Sequence, residues 1–441
     1  MTYLAWTAAT GCLLLLMSLS YGWLSRVPVP VFGLYLLVGI VCGPWVLDVI
    51  NLDIAAHASL ISRVTEIAMA ASLFITGLKI RLPLNSPYWK MGIKLALPAM
   101  LLTIAGIMVV SHFLTGLSWP LSLALAAILA PTDPVLASLV AINDARDGDQ
   151  LRIALSSEAG LNDGTALPFL MLALIWHKAG GAINAHEWLT WLSVDLVWAL
   201  LGGLAIGFLL GRAIGLLATR SRHAQGEVAP SDFVALSLIC LSFSLAMAVS
   251  ASGFLAAFAA GVGLRNAEVS VQKRHPDQKM VEDDLPAEMQ VNPHTRHGLE
   301  ESNPIKSVGL VIGDALSFGD TVERIFAAAL VIILGITLAL HWDIHALLLA
   351  FIIFVVIRPL AVFIITWRSG ESLFHRISLG WLGIRGIGSL NYIAWTYVHG
   401  LQGTEANTLT NFAITIVTVS VLVHGISVTP LLTLRRKREN H

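Results

Sequence analysis

Apolar runs of about twenty residues, long enough to cross ~30 Å of hydrocarbon, recur from one end of this chain to the other. They fall near residues 4–24, 28–48, 60–78, 92–113, 120–142, 151–176, 188–218, 232–250, 253–267, 324–341, 344–367, 376–399 and 408–433. Backbone N–H and C=O groups find no water in that medium, so runs of this length and number fold as helices. The chain is therefore expected to be an all-α polytopic membrane protein of about thirteen spans, with the lipid bilayer as its surroundings. Composition agrees: 56% of the 441 residues are hydrophobic and 12% charged, against ~25% charged in an ordinary soluble domain. A formal net charge of −1 offers no broad basic surface, and nucleic acid is not expected as a partner. Cys12, Cys42 and Cys240 lie singly in apolar runs, which excludes a disulfide framework and a zinc cluster; no cofactor is expected.

The first run has no basic segment before it and is followed by Arg26 rather than a small-residue cleavage site, so it is read as a retained span. An odd number of spans puts the termini on opposite faces. Loop residues Arg26, Lys79, Arg81, Lys90, Arg146, Arg152, Arg220, Lys306, Arg368 and the run Arg435-Arg436-Lys437-Arg438 then share one face, and Arg63 and Lys178 the other. By the excess of Lys and Arg on the inner side, the amino terminus is outside and the carboxyl terminus cytoplasmic. Residues 1–434 are expected to form one transmembrane domain. Within it, 266–322 reads as a mobile cytoplasmic loop broken by Pro276, Pro286, Pro293 and Pro304, and 435–441 follows as a short basic tail.

Two spans are unfit to be continuous helices. The fifth contains Ala130-Pro131-Thr132-Asp133-Pro134, and the twelfth Gly383-Ile384-Arg385-Gly386-Ile387-Gly388. Each is the penultimate member of a six-helix set, spans 1–6 and 8–13 with span 7 as linker, and the odd offset gives the two repeats inverted topology. Paired interrupted helices of this kind mark the midplane site of a transporter. Where they cross, half-helix dipoles bring partial charges together, which Asp133 and Arg385 are placed to compensate.

The sixth span carries Glu158, Asn162 and Asp163 in the run Ser156-Ser157-Glu158-Ala159-Gly160-Leu161-Asn162-Asp163. An intramembrane charge costs at least ~2.5 kcal/mol, so each acid demands a function or a partner. Glu158 and Asn162 are four apart and share a helix face; Ala159 and Asp163 share another about 100° round. A carboxylate held away from water takes a proton or a mobile cation as its compensating charge, so binding becomes exchange. Asp133 and Thr132 offer hard oxygen ligands at the break, where Asp163 can share a site for Na⁺ or K⁺ with them; the structural alternative for Asp133 is a helix cap. Glu158 needs an ion-pair partner, and Arg358 and Arg385 both qualify.

Together, Thr132-Asp133-Pro134, Glu158-x-x-x-Asn162-Asp163, Arg358 and Gly383-Ile384-Arg385-Gly386 resemble the motifs of the monovalent cation/proton antiporters that include bacterial NhaP and the animal sodium/proton exchangers. The resemblance spans residues 1–434. It implies a homodimer in a cell membrane, such as a bacterial inner membrane, whose six-helix core moves against a dimerisation domain in an elevator-like step. It implies Asp163 as the main cation and proton carboxylate, with Asp133 and Thr132 shaping the site and Asn162 ordering it. Arg358 is implied as the partner of Glu158, leaving Arg385 for the crossing, and Asn before the carrier Asp implies electroneutral one-for-one exchange. Many members have Ser after the Glu where this chain has Ala159, which leaves the identity of the ion open.

Sodium/proton exchange is accordingly the first reading and potassium/proton exchange the second. A cation channel, an alternative of another class, needs a selectivity-filter loop of ordered carbonyls, and none is recognisable. An intramembrane aspartyl protease would use two aspartates as an acid/base pair, but Thr and Asn flank them here and no Gly-x-Gly-Asp segment occurs. The expectation is a secondary transporter and not an enzyme.

Overall fold

Every residue with assigned secondary structure is helical, in a computed structural model that describes residues 31–133, 142, 145–225, 232–275, 285–291, 304–386 and 388–439, with six residues between 11 and 19. The helices are α1 (Val31–Cys42), α2 (Ala58–Lys79), α3 (Tyr88–Thr115), α4 (Trp119–Leu129), α5 (Gln150–Lys178), α6 (Ala185–Arg220) and α7 (Asp232–Ala248). They continue with α8 (Gly253–Arg274), α9 (Pro304–Thr337), α10 (Ala346–Thr366), α11 (Leu373–Trp381), α12 (Gly388–Val398) and α13 (Gly403–Glu439). These helices account for the second to thirteenth spans, because the twelfth span is two helices, α11 and α12. Most of the first span, and residues 134–141 of the fifth, lie outside the described residues, as does Ile387. Among the described residues, seven helices are long and apolar enough to cross a membrane: α2, α3, α5, α6, α8, α10 and α13.

Local sequence explains where these helices start and bend. Asp149 caps α5 by accepting from the Leu151 amide at 2.9 Å, and the Lys178 end runs into Gly180 at φ +64°. Pro98 has no N–H to donate and sits in a π-turn at Leu95–Ala99 within α3. A second π-turn, Ile353–Ile357, precedes Arg358 and Pro359 in α10. Small residues let α8 approach its neighbours. Gly207 and Gly211 of α6 lie against the Ala256 and Ala260 carbonyls of α8, and Gly261 of α8 against the Phe74 carbonyl of α2, so any side chain there would strike backbone.

The polar stretch expected as a mobile loop over 266–322 is corrected by the structure. Helix α8 runs on to Arg274, and Pro304 opens α9 rather than breaking it, because the first turn of a helix has no use for the missing N–H. Between them, 285–291 is docked. Arg265 lies 2.9 Å from Glu288, the Ala287 amide donates to Glu268 at 3.2 Å, and Gln272 donates to the Leu285 carbonyl at 2.9 Å. The buried polar groups of α8 hold this segment with the hydrogen-bonding capacity that Leu78 and Arg81 leave unused.

The basic run at the carboxyl end continues α13. Arg435 grips Asp149 through two hydrogen bonds of 2.8 Å, tying the last helix to the amino cap of α5. Burial alone would push the Asp149 carboxyl up, but Arg435, the Leu151 amide and Arg152 together outweigh it and hold it below its ordinary value of 3.8. A carboxyl lowered on folding contributes stability above its unfolded value and loses it as pH falls through the folded one. Asp149→Asn is therefore expected to destabilise the protein by about 1 kcal/mol at pH 7, a figure reduced for partial exposure. Thermal unfolding in detergent should show the gap to the parent closing as the pH drops below 3.8.

Candidate functional site

The two broken spans meet at their breaks and run antiparallel through them. The Asp133 amide donates to the Ile384 carbonyl at 2.9 Å, the Ser389 hydroxyl to the Ile128 carbonyl at 2.8 Å, and the Arg385 guanidinium to the Ala130 carbonyl. The Gly388 amide donates to Asp133 Oδ2 at 3.0 Å. Each charge thus faces the helix end of opposite partial charge, Arg385 at the carboxyl end of α4 and Asp133 at the amino end of α12. Backbone groups released by Pro131 and by Leu382–Gly386 find partners in the opposite break or, for the Arg385 amide, in the Ser420 hydroxyl, as an apolar medium requires. A Cβ at Gly386 would lie 2.5 Å from Asp133 Oδ2, and one at Gly383 2.8 Å from Arg358 Nε, so neither position has room for a side chain.

Helix α5 passes beside this crossing. Its acids are almost wholly buried, with Glu158 0% and Asp163 2% exposed, and Asp133 is 4% exposed. Arg358 Nη2 lies 2.6 Å from Glu158 Oε1 and donates to Oε2 at 2.8 Å. The sequence left Arg358 and Arg385 as alternatives; in the structure Arg358 makes this contact, and Arg385 turns to Ala130. Asn162 Nδ2 donates to Thr132 Oγ1 at 2.7 Å, joining α5 to the break in the fifth span. Thr165 in turn donates to the Asn162 carbonyl at 2.9 Å. Asp163, Asp133, Thr132 and Asn162 are thereby brought together, with Glu158 and Arg358 paired one helical turn away. Among the described residues, no side chain donates to the Asp163 carboxylate.

Several contributors escaped the sequence reading. Tyr392 donates to the Asp163 carbonyl, Asn391 accepts from Thr65 of α2 at 3.0 Å, and Ser420 of α13 accepts from the Arg385 amide at 2.8 Å. Ser389 and Asn391 were detectable as polar residues directly after the glycine-rich break. Ser420 and His424, four apart on one face of the last span and 3.0 Å from each other, gave a weaker signal of the same kind. Ala159 is buried at 1% exposure and supplies no ligand atom beyond its backbone.

A bundle with crossed, broken helices and buried carboxylates at the crossing defines a membrane protein of the secondary-transporter type. The family model described as sodium/hydrogen exchanger, transmembrane, matches residues 12–434, and the chain belongs to that family. Over 237 residues it is 28% identical to the Na(+)/H(+) antiporter 2 of Zygosaccharomyces rouxii, covering 51% of this chain and 28% of that protein. Over 416 residues it is 24% identical to the K(+)/H(+) antiporter NhaP of Alkalimonas amylolytica, covering 92% of this chain and 62% of that one. The chain therefore matches less than two thirds of the length of either relative. The solved sodium proton antiporter MjNhaP1 of Methanocaldococcus jannaschii shares the fold, with a TM-score of 0.67 over 96% of this chain and 95% of that one, at 19% identity.

Removing one member of the Glu158–Arg358 pair strands a buried charge. Glu158→Gln is expected to cost about 3–5 kcal/mol, with an apolar replacement of both residues recovering most of it. Thermal unfolding of the two purified variants beside the parent measures this. A Glu158→Gln protein as stable as the parent but unable to transport would place Glu158 in ion handling instead.

Proposed function

We propose that this chain is an antiporter that exchanges one monovalent cation for one proton at Asp163, without net charge movement. The observation that carries the reading is the charge balance at the crossing. Three buried carboxylates, Glu158, Asp133 and Asp163, face two buried guanidiniums, Arg358 and Arg385. With all five ionised, one negative charge is left over, and one proton or one monovalent cation neutralises it. Glu158 is taken by Arg358, and Asp133 is engaged by the Gly388 amide, so the balance falls to Asp163. Thr132 and Asp133 complete the oxygen environment from the broken span, and Asn162 holds Thr132 in place.

Sodium is the first candidate for the cation and potassium the second. Ala159 favours potassium, since a site lacking a hydroxyl beside the carrier acid suits a larger and more weakly hydrated ion. Both ions also occur in the names of the relatives. In the proposed cycle the helices that carry the crossing, α3 to α5 and α10 to α13, move as a core against α2 and α6 to α9. The working unit is a homodimer in a cell membrane, with the amino terminus outside and the basic carboxyl end cytoplasmic. The distribution of Lys and Arg supports that orientation.

Asp163→Asn is expected to abolish exchange while leaving a folded protein, because it removes the titrating group and keeps its shape. The assay is the recovery of a pH-sensitive dye in proteoliposomes on addition of sodium, potassium or lithium salts across pH. Exchange retained by Asp163→Asn would overturn the assignment of the carrier acid. Inertness of the parent protein to every salt would overturn antiport itself.

A further inference from the structure

Three glycines, Gly383, Gly386 and Gly388, punctuate the break in the twelfth span, and they are glycines for different reasons. Gly383 and Gly386 are excluded from carrying a side chain by Arg358 and Asp133, as described above. Gly388 is not. It lies in the first turn of α12 with no left-handed φ, so its backbone makes no demand for glycine. A Cβ built on it would meet Met69 Cε of α2 at 3.3 Å, the mobile end of a flexible side chain, and Asp163 Oδ1 at 3.6 Å, an ordinary contact. The amide of the same residue donates to Asp133 Oδ2 at 3.0 Å. Gly388 therefore stands between the two carboxylates, touching one through its N–H and facing the other with a bare α-carbon. The missing side chain leaves space at the Asp163 carboxylate that neither strain nor a backbone clash requires.

We infer that Gly388 is a specificity-determining residue of the cation site: its lack of a side chain keeps the space beside Asp163 Oδ1 wide enough for the larger alkali cations. This rests on the reading of Asp163 as the cation carboxylate. A methyl group at position 388 would narrow the site on the Asp163 side while leaving the Gly388 amide, the Asp133 cap and the antiparallel pairing of the breaks in place. Met69 would bound the same space from the opposite helix and yield by a few tenths of an ångström.

The test is Gly388→Ala, reconstituted in proteoliposomes and assayed with lithium, sodium, potassium and rubidium salts at matched pH. The apparent affinity for potassium and rubidium relative to lithium and sodium should fall on the order of tenfold, the low end of what one methyl group discriminates in a fitted site. An unchanged order and ratio of affinities, or an equal loss for all four ions, overturns the inference. If the single variant proves unstable, Met69→Ala alone carries the test from the other side: removing the 3.3 Å neighbour widens the same space and should raise the affinity for potassium and rubidium relative to lithium and sodium, and an unchanged ratio overturns the inference. Asp163→Asn run beside them separates the two claims. If it still exchanges, the carrier assignment fails; if it is inert while Gly388→Ala leaves the ratios unmoved, only the role of Gly388 fails.

Discussion

Broken helices in an apolar medium leave backbone amides and carbonyls that nothing outside the protein can satisfy, and the arrangement of the site follows from how this chain resolves that problem. Each break supplies the groups that the other lacks. The Asp133 amide meets the Ile384 carbonyl, the Gly388 amide meets the Asp133 carboxylate, and the Ala130 carbonyl meets Arg385. The interruption is self-consistent only as a pair. A single broken span would strand several groups, each costing kilocalories, whereas two antiparallel breaks convert the same defects into a charged, hydrogen-bonded junction.

The helix carrying Asp163 is held against this junction at several points along its length. Arg435 fixes its amino cap, Arg358 its Glu158, and Thr132 the Asn162 amide. Tyr392 adds a hydrogen bond to the Asp163 carbonyl itself. These contacts come from α13, α10, the break in the fifth span and α12, so the position of one carboxylate depends on four other parts of the chain. Glycines complete the arrangement where α5 leans on α8: a side chain at Gly160 would enter the Phe258 ring. Such ties leave the proposed carrier acid buried and fixed while its charge stays open to exchange.

Much of this was legible in the residues. Apolar runs gave the helical spans, prolines and glycines located both breaks, and isolated acids within apolar sequence picked out Glu158, Asp133 and Asp163. Those signals are local, and burial makes them costly enough to be read with assurance. Less visible were contributions that depend on distance across the fold. Thr65, Ser420 and Tyr392 are unremarkable in sequence and matter through the groups they meet. The segment around Glu288 looked like solvated linker because its charges were counted without the buried Arg265 and Glu268 that receive it. Pro304 misled because proline breaks a helix from within and starts one equally well.

Sequence alone determined that the chain is a bundle of membrane helices with two interruptions and a buried acid pair on one helix, since hydropathy, proline, glycine and charge act over a few residues. It also limited the partner of Glu158 to two arginines. Choosing between them fell to the tertiary structure, which spends Arg385 on the Ala130 carbonyl and leaves Arg358 within 2.6 Å of Glu158. Only the tertiary structure separates the glycines as well, giving Gly383 and Gly386 steric reasons and Gly388 none. The physical reason is the same in both cases: the partner of a buried charge, and the space beside it, are set by groups hundreds of residues away in the chain.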